Sequence, residues 1–452
     1  MTSLATSSNS RSFYLALLII MSALCTKTVE ANPSSALTIQ SAVDQALEKN
    51  PDVLKAREVV EQSHFDFSAA IGKALPTVAA TFNASYQKDA ADQQFPNFGG
   101  ETYNQYTFGL TATQPLFDGG AVFAALRYGT KNKEITNYAL QIVERTTTES
   151  VLESFYSLLL NERLLQVLND TYAVDLEVLK IAERYFRVGR IQKVDLLNLK
   201  TQTSLLRPKI AQAEDLIQTT ASQLAMLLRN LNASDVRAKG QLVSPDPTWV
   251  KQMLADKIAE LPEILQSRTQ VDQFEDNRTI QMATYWPKLN LVGQWGRLAY
   301  SKTDLLNSDA TNWAIALQLS IPIFNGLTSI YTRQSLASQE KQMEMDETKT
   351  ADTVSVSQIQ TDKDLQVAET NLSATEEAAG FGRETFKQAE HDFKLSTINY
   401  IQYQTSLQAF LDSETGYYQA KYNYIVAVAK HFNAKGIPLS LLVAKLDQIS
   451  GK

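Results

Sequence analysis

The sequence predicts a mainly α-helical protein with β-structure: a long α-helical coiled-coil barrel joined to four transmembrane β-strands per chain. Three observations support this fold class. Two stretches, 77–117 and 288–323, alternate apolar and polar side chains with the period of two that is typical of strands. Two proline-free segments, 116–207 and 323–437, have helical patterns too long for a compact globule. Short motifs of the first half recur in register in the second half, which indicates an internal duplication.

The N-terminus has the pattern of a secretory signal peptide, which we place at residues 1–31. Arg11 precedes an apolar run, and the small residues around Ala31 predict cleavage after it. An uncleaved N-terminal anchor is the alternative. Cys25 is the only cysteine, and it is either removed with the signal or lipidated. No later apolar run reaches the roughly 18 residues of a membrane helix, so a membrane crossing would use strands.

Composition narrows the class of protein. The chain has 452 residues, of which 44% are hydrophobic and 20% charged, so it is not disordered. A net charge of −7 argues against a nucleic-acid-binding protein. Gly119 and Gly120 resemble a phosphate loop, but no Gly-Lys-Ser/Thr follows. The histidines His64, His391 and His431 are scattered without a ligand set at metal-binding spacing. We expect no metal, no cofactor and no enzyme activity.

Each predicted hairpin has one apolar and one polar face. The apolar residues of the first are Val78, Ala80, Phe82, Ala84, Tyr86, Tyr106, Phe108, Leu110 and Ala112. Those of the second are Leu289, Leu291, Gly293 and Trp295, in a less regular alternation, and Trp313, Ile315, Leu317, Leu319 and Ile321. The polar faces are rich in Thr, Asn, Ser and Gln, as the lining of a water-filled lumen requires. Tyr86, Tyr106, Trp295 and Trp313 lie near the loop ends and suit a membrane aromatic girdle.

Helices precede and follow the first hairpin. A helix at 37–50 has Thr38 as its expected N-cap, and Asp52 is expected to cap the next, which ends near Lys73. The run 121–187 would form one helix of about 100 Å. Gly189 interrupts this pattern.

A second helical run follows from Val194 to about Asn232, and we expect Pro208 to kink it. Helices of this length are typical of coiled coils or helical tubes.

The duplication rests on four pairs of motifs. They are 50–52 with 261–263, 75–77 with 286–288, 114–119 with 321–326, and 186–191 with 393–398, at offsets of 211, 211, 207 and 207. The change of four falls between the paired prolines of each hairpin, where a surface loop absorbs it. We therefore divide the chain into repeats at 32–240 and 241–432, followed by a C-terminal tail at 433–452.

The number of strands bears on the oligomeric state. Four strands cannot close a conducting barrel, and an open sheet in lipid leaves unpaired backbone groups that cost several kcal/mol each. Other copies must therefore complete the sheet. Two copies give eight strands, whose interior is filled by side chains, whereas three give a twelve-stranded barrel with a lumen. The helices are too polar for lipid and would continue the lumen as a tube.

The chain resembles the outer-membrane efflux proteins of the TolC type over about 37–432. The resemblance rests on Leu37-Thr38, Ala42, Asn50-Pro51, Leu75-Pro76, the run from Gln114 to Gly120, and the turn from Tyr185 to Arg190. It implies a homotrimer in the outer membrane whose helices form a periplasmic tunnel. The tunnel would be the exit duct of a tripartite efflux pump or a type I secretion system. The partners would be a periplasmic adaptor and an inner-membrane pump.

Two other classes of protein stay open: a secreted or surface coiled-coil scaffold without channel activity, and a secreted enzyme with a helical core. The sequence does not distinguish efflux from protein secretion, since the inner-membrane pump selects the cargo.

The resemblance also implies where the functional residues lie. The two helix-to-helix turns would form the adaptor-docking tip; their residues are Val188, Gly189, Arg190, Leu395, Ser396 and Thr397. Serine stands at 396 where the family usually has glycine. The acidic ring that constricts better-studied members is replaced here by Gln402 and Thr405. Asp195 is the remaining acidic candidate, and Tyr400 and Tyr403 are expected to narrow the pore. We therefore expect a gate that is weaker, less cation-selective or differently opened.

Overall fold

The computed structural model describes residues 37–88, 102–230, 236–255, 260–301 and 311–450. The predicted signal peptide, Cys25 and the tips of both hairpin loops lie outside these residues. Within them, nine α-helices, a short 3₁₀ helix and four β-strands follow one another in the order α1–α2–β1–β2–α3–α4–α5–α6–β3–β4–α7–α8–α9.

The helices and strands have the following bounds: α1 Ile39–Lys49, α2 Pro51–Gly72, β1 Thr77–Lys88, β2 Thr102–Phe117, α3 Ala121–Arg187, α4 Lys193–Leu227, α5 Pro247–Ala255, α6 Pro262–Met282, the 3₁₀ helix Ala283–Tyr285, β3 Lys288–Ala299, β4 Thr311–Ser320, α7 Thr328–Lys394, α8 Tyr400–Lys435 and α9 Leu439–Ser450.

The duplication is visible in these bounds. Helices α3 and α7 both have 67 residues, and α7 begins 207 positions after α3. Strands β1 and β3 both have 12 residues, and β3 begins 211 positions after β1. The hairpin registers match as well, because Thr77 pairs with Thr113 and Lys288 pairs with Ser320. The two repeats therefore share one backbone plan, and we keep their limits at 32–240 and 241–432 as a proposal.

All four strands form one antiparallel sheet in the order β1-β2-β3-β4. The register places the apolar sets on the same face, because Ala80 pairs with Leu110, Leu110 with Trp295, and Trp295 with Trp313. The polar sets share the other face, as in the row Thr111, Gln294 and Ala314. Every residue of β4 is exposed, so nothing in the described chain covers either face there.

The long helices pack side by side in one layer, and the neighbours of each helix differ between the end near the sheet and the end far from it. Near the sheet, α3 lies between α2 and α6, and α6 contacts α7. In the half that is distant from the sheet, α3 packs against α4 and α8, and α8 packs against α7. Helix α7 packs mainly against α6 near the sheet and against α8 farther from it, and it lies at the edge of the layer.

The main hydrophobic core forms a belt around the middle of this layer. The belt consists of α1, the segment 236–250 and α9, packed on the middle of α3, the end of α4, the middle of α7, and α8. Leu37 pairs in parallel with Ala238, through Leu37 N–H to Arg237 O at 2.9 Å and Lys239 N–H to Leu37 O at 2.8 Å. The C-terminal tail at 433–452 is part of this belt, since Leu442, Val443 and Leu446 of α9 are fully buried.

Local sequence explains where the helices begin. Thr38 caps α1 as expected, in a reciprocal pair with Ser41. The expectation that Asp52 caps α2 is wrong: the Asn50 side chain accepts from Asp52 N–H, and Asp52 lies in the first turn. Helix α4 continues through Pro208. Among the described helices, none is long and apolar enough to cross a membrane.

Candidate functional site

The helix tips distant from the sheet have the same turn in both repeats. In the first, Gly189 adopts φ +73° and Arg190 N–H donates to Tyr185 O at 2.8 Å. In the second, Ser396 adopts φ +60° and Thr397 N–H donates to Asp392 O at 2.9 Å. Both are Schellman C-caps, which need a left-handed residue after the helix. The predicted docking residues therefore lie together at the two turns, and all six are exposed.

The helices that follow the turns begin differently. Asn399 and Gln402 form a capping box: Asn399 N–H donates to Gln402 Oε1 at 3.1 Å, and Gln402 N–H donates to Asn399 Oδ1 at 2.9 Å. Gln192, at the start of α4, makes no such side-chain bond. Asp195 lies in the first turn of α4, where a negative charge is favoured by the helix dipole. Gln402 thus has a structural role besides any role in a channel.

The structure separates the predicted constriction residues into two groups. Gln402 and Thr405 are exposed, and Asp195 is partly exposed. Tyr400 and Tyr403 are buried inside the chain, so the expectation that they narrow a pore is wrong. Both tyrosines face the other helices of the same protomer instead. No observation tests the remaining three residues, and they stay a prediction.

The two tyrosines belong to a core cluster to which all four distal helices contribute, which we call the distal cluster. It contains Val178, Ala182, Leu196, Leu199, Phe386, Phe393, Tyr400, Tyr403, Leu407 and Leu411. The Phe393 and Tyr403 ring centroids are 5.2 Å apart, and Phe386 stacks on Phe410 at 4.8 Å. The cluster therefore joins the α3–α4 pair to the α7–α8 pair beside the tips.

A buried carboxyl group lies in the distal cluster, and sequence analysis missed it. The Tyr403 hydroxyl donates to Asp175 Oδ1 at 2.7 Å, and the exposed fractions of the two residues are 0% and 1%. Asp175 Oδ2 has no hydrogen-bond partner among the described residues. A signal was present in the sequence, because Asp175 falls in the stripe Thr171, Asp175, Val178 and Ala182, which has the spacing of a buried heptad seam.

Burial changes the acidity of these groups. It raises the pKa of Asp175, and the hydrogen bond from Tyr403 offsets part of that rise. It also raises the pKa of Tyr403, with the negative charge of Asp175 as a second cause. The pKa of Tyr400 is raised to about 12, by burial first and then by Asp175 and Asp195. The folded protein therefore binds the proton of Asp175 more tightly than the unfolded chain does.

The predicted girdle residues all lie on the apolar face of the sheet. Trp295 and Trp313 are direct cross-strand partners, and Trp295 packs edge-on to Phe108 with ring centroids 6.1 Å apart. Tyr106 pairs with Ala84 and Ala299, four residues nearer the start of β2 than Leu110 of the tryptophan row. Tyr86 and Trp313 are strongly exposed in the single chain. A role in contacting lipid stays a prediction.

Solved structures share this fold. The outer membrane channel CmeC of Campylobacter jejuni superposes with a TM-score of 0.78 at 15% identity, over 91% of this chain and 89% of that chain. Because the identity is low, the superposition establishes the fold alone.

Curated relatives match at moderate identity. The alkaline protease secretion protein AprF of Pseudomonas aeruginosa is 25% identical over 248 residues, which is 53% of this chain and 50% of the relative. The solvent efflux pump outer membrane protein SrpC of Pseudomonas putida is 22% identical over 284 residues, which is 63% of this chain and 60% of the relative. The chain thus spans about half to three fifths of the length of these relatives.

The family model for outer membrane efflux proteins matches residues 42–229 and 254–430. Each matched segment falls within one of the two repeats and includes its sheet hairpin, its long helices and its tip. This match covers most of the chain, and it agrees with the motifs on which the resemblance was based. The chain therefore belongs to the outer membrane efflux protein family.

Proposed function

We propose that three copies of this chain form the exit duct of a tripartite efflux pump or a type I secretion system. As a member of its family, the chain lies in the outer membrane with its helices extending into the periplasm. It would conduct passively, receiving cargo from an inner-membrane pump through a periplasmic adaptor. The open sheet is the observation that carries this proposal: β1 and β4 are edge strands without a further partner strand among the described residues.

The duplication supplies a model for how neighbouring copies would join. Within the chain, β2 pairs with β3, for example Gly109 with Gly296 and Thr111 with Gln294. Adding 207 to the β2 position and subtracting 211 from the β3 position gives the corresponding pairs between β4 and the β1 of the next copy. Ala316 would pair with Ser85 of the next copy. In the same way Gln318 would pair with Asn83 of the next copy.

The corners between sheet and helices support the same head-to-tail contact. Gly119 lies so close to the 3₁₀ corner that an added Cβ would be 2.7 Å from Trp286 Cβ and 3.0 Å from Ala283 O. The equivalent Gly326 of the second repeat has nothing within 4 Å of such a Cβ. Leu75 corresponds to Trp286 and is exposed in the single chain. A ring would place Leu75 of the next copy against Gly326.

Exposed apolar residues follow the free edges of the helix layer. On α7 they include Met345, Val356 and Val367, which are spaced by 11 residues and so lie on one helix face. On the opposite edge, Phe65 of α2 is 65% exposed. A single soluble chain seldom leaves long apolar edges uncovered. A closed ring would bury the α7 edge of one copy against the α2–α4 edge of the next.

Three copies rather than two are proposed because eight strands enclose little more than their own side chains, whereas twelve leave a lumen. The periplasmic tips would dock the adaptor, and Asp195, Gln402 and Thr405 would line the narrow end of the duct. Relatives named for protease secretion and for solvent efflux match at similar identity, so the cargo is proposed as a class only. A coiled-coil scaffold without a channel is the alternative, and it gives the amphipathic sheet no role.

Paired cysteines test the ring, because the only native cysteine lies in the predicted signal peptide. We expect Ser85→Cys with Ala316→Cys to give a covalent trimer that reducing agent dissolves. The matched control, Thr81→Cys with Ala316→Cys, moves one thiol about 13 Å along the strand, beyond the reach of a disulfide.

The wild-type protein and the cross-linked trimer should also conduct ions in planar bilayers. Only monomers or dimers under oxidation, or cross-linked trimers that never conduct, would contradict the proposal.

A further inference from the structure

The first helix tip carries a cluster of positive charge, which we call the basic tip. Its residues are Arg184, Arg187, Arg190 and Lys193, and all four are exposed. The stretch 184–193 contains no Asp or Glu. Among the described residues, none of the four forms a salt bridge with a carboxylate. The Arg190 guanidinium lies 6.0 Å from the centre of the Tyr185 ring, which leaves its hydrogen-bond donors available.

The second tip has the same backbone and lacks this charge. At the positions displaced by 207 it carries His391, Lys394, Thr397 and Tyr400. The one lysine is already paired, because Lys394 Nζ lies 2.5 Å from Glu390 Oε1. Since both turns form the same hydrogen bonds, the charge of the basic tip is not needed to make the turn.

Helix stability explains only part of the basic tip. Arg184 and Arg187 lie in the last turn of α3, where cations interact favourably with the helix dipole. Lys193, however, is the first residue of α4, and a cation is unfavourable there. Arg184 and Arg187 also repel each other at a spacing of three residues. The folding of the chain therefore accounts for Arg184 and Arg187 only in part, and it does not account for Lys193.

We propose that the basic tip binds a carboxylate-rich segment of the periplasmic adaptor, while the second tip contacts an uncharged segment. This inference rests on the proposed function, in which the tips dock that partner. Guanidinium groups hold carboxylates through paired hydrogen bonds, and apolar Val188 and Val194, both exposed beside the arginines, add contact area. A lipid surface fits less well, because it would meet both tips alike.

The test measures the affinity of the detergent-purified trimer for the soluble periplasmic part of its adaptor, at low and at physiological salt. We expect Arg187→Glu with Arg190→Glu to weaken binding by about tenfold or more at low salt. The affinity of Arg187→Lys with Arg190→Lys should stay within about threefold of the wild-type affinity, because the positive charge is kept. Added salt should weaken the binding of the wild type to the adaptor and leave the binding of the glutamate variant nearly unchanged.

Thr397→Glu is the matched control, since Thr397 occupies the position of Arg190 in the second tip. A change below about threefold is expected for it at low salt. Equal losses for Thr397→Glu and for the arginine reversal would overturn the inference, as would wild-type affinity that does not respond to salt. Stronger binding of the trimer to vesicles with phosphatidylglycerol than to the adaptor would also overturn it, in favour of a lipid. A wild type that forms no trimer or conducts no ions would instead refute the proposed function.

Discussion

The hydrogen bond between Tyr403 and Asp175 gives a quantitative prediction. Tyr403→Phe removes the one hydrogen-bond donor that the described residues offer to the Asp175 carboxyl group, at a distance of 2.7 Å. Asp175 is only 1% exposed. Leaving a buried polar group unsatisfied costs about 1–3 kcal/mol, while the loss of the hydroxyl itself changes little volume. A central value of about 2 kcal/mol corresponds to about thirtyfold in an equilibrium constant. The distal cluster should open that much more often.

Hydrogen–deuterium exchange of the native trimer measures this opening locally. Amides of α3 and α8 beside the pair should exchange about thirtyfold faster in Tyr403→Phe, whereas amides of the belt around α1 and α9 should not change. Exchange within about twofold of the wild type at both places would refute the argument that the bond stabilises the distal cluster.

The same pair predicts a dependence on pH. Because burial raises the pKa of Asp175, the folded protein binds this proton more tightly than the unfolded chain does. Its contribution to stability is complete below the unfolded pKa of about 3.9 and is lost as pH rises through the folded value. After correction for intrinsic exchange, the distal cluster should therefore be more protected in mild acid than at neutral pH.

Asp175→Asn should remove this dependence on pH, because the amide does not titrate and its oxygen can still accept the hydrogen bond from the Tyr403 hydroxyl. Glu390→Gln is the control, because the charge of Glu390 also acts on Tyr403. If Asp175→Asn keeps the wild-type profile while Glu390→Gln removes it, the titrating group has been wrongly assigned.

Two further predictions concern left-handed residues. Ser396 at φ +60° is strained by about 1–2 kcal/mol. Glycine removes this strain, but the greater conformational entropy that it gives the unfolded chain costs about 0.4–1 kcal/mol. Ser396→Gly should therefore stabilise the second tip by about 0.5–1 kcal/mol. Slower hydrogen exchange of the amides at the second tip would show this stabilisation, and faster exchange there would contradict it. Gly189→Ala should destabilise the first tip and speed up exchange there. Gly119→Ala should impair folding of the protomer, because the new methyl group meets Trp286 at 2.7 Å. An added Cβ at Gly326 has open space around it, so Gly326→Ala should leave the protomer folded while reducing the yield of trimer. Protease resistance measures the folding of the protomer, and native mass measures the yield of trimer. Equal effects of Gly119→Ala and Gly326→Ala would contradict the head-to-tail ring.

Local pattern was sufficient for much of the fold. The period of two placed the apolar faces of the strands correctly. The absence of proline between Pro115 and Pro208, with the interruption at Gly189, set α3 at 121–187, the bounds that the structure has. Matching motifs showed the duplication before any coordinates. These features depend on residues near one another in sequence, where side-chain direction alone decides.

The buried groups could not be placed in the same way. Whether Tyr403 faces a lumen or a neighbouring helix depends on how α8 is rotated against α3, which no local period determines. Asp175 was overlooked because an acidic residue on a long helix is usually solvated. The amphipathic pattern of α9 predicts a helix with one buried face, but only the assembled belt shows what covers that face. At the start of α2, Asn50 and Asp52 are both residue types that cap helices. Proline at the first helical position, Pro51, favours the residue before it as the cap.

The belt also has a consequence for the order of events in the cell. It needs α1, the segment 236–250 and α9, which are separated by almost the whole described chain. Contacts this distant in sequence form late, because the chain between them must first be brought together. The belt therefore cannot close until the chain has been made as far as α9. If the predicted signal peptide directs export, as we propose, the belt would close only after α9 has crossed the inner membrane, and the wall of the proposed duct would be completed only there.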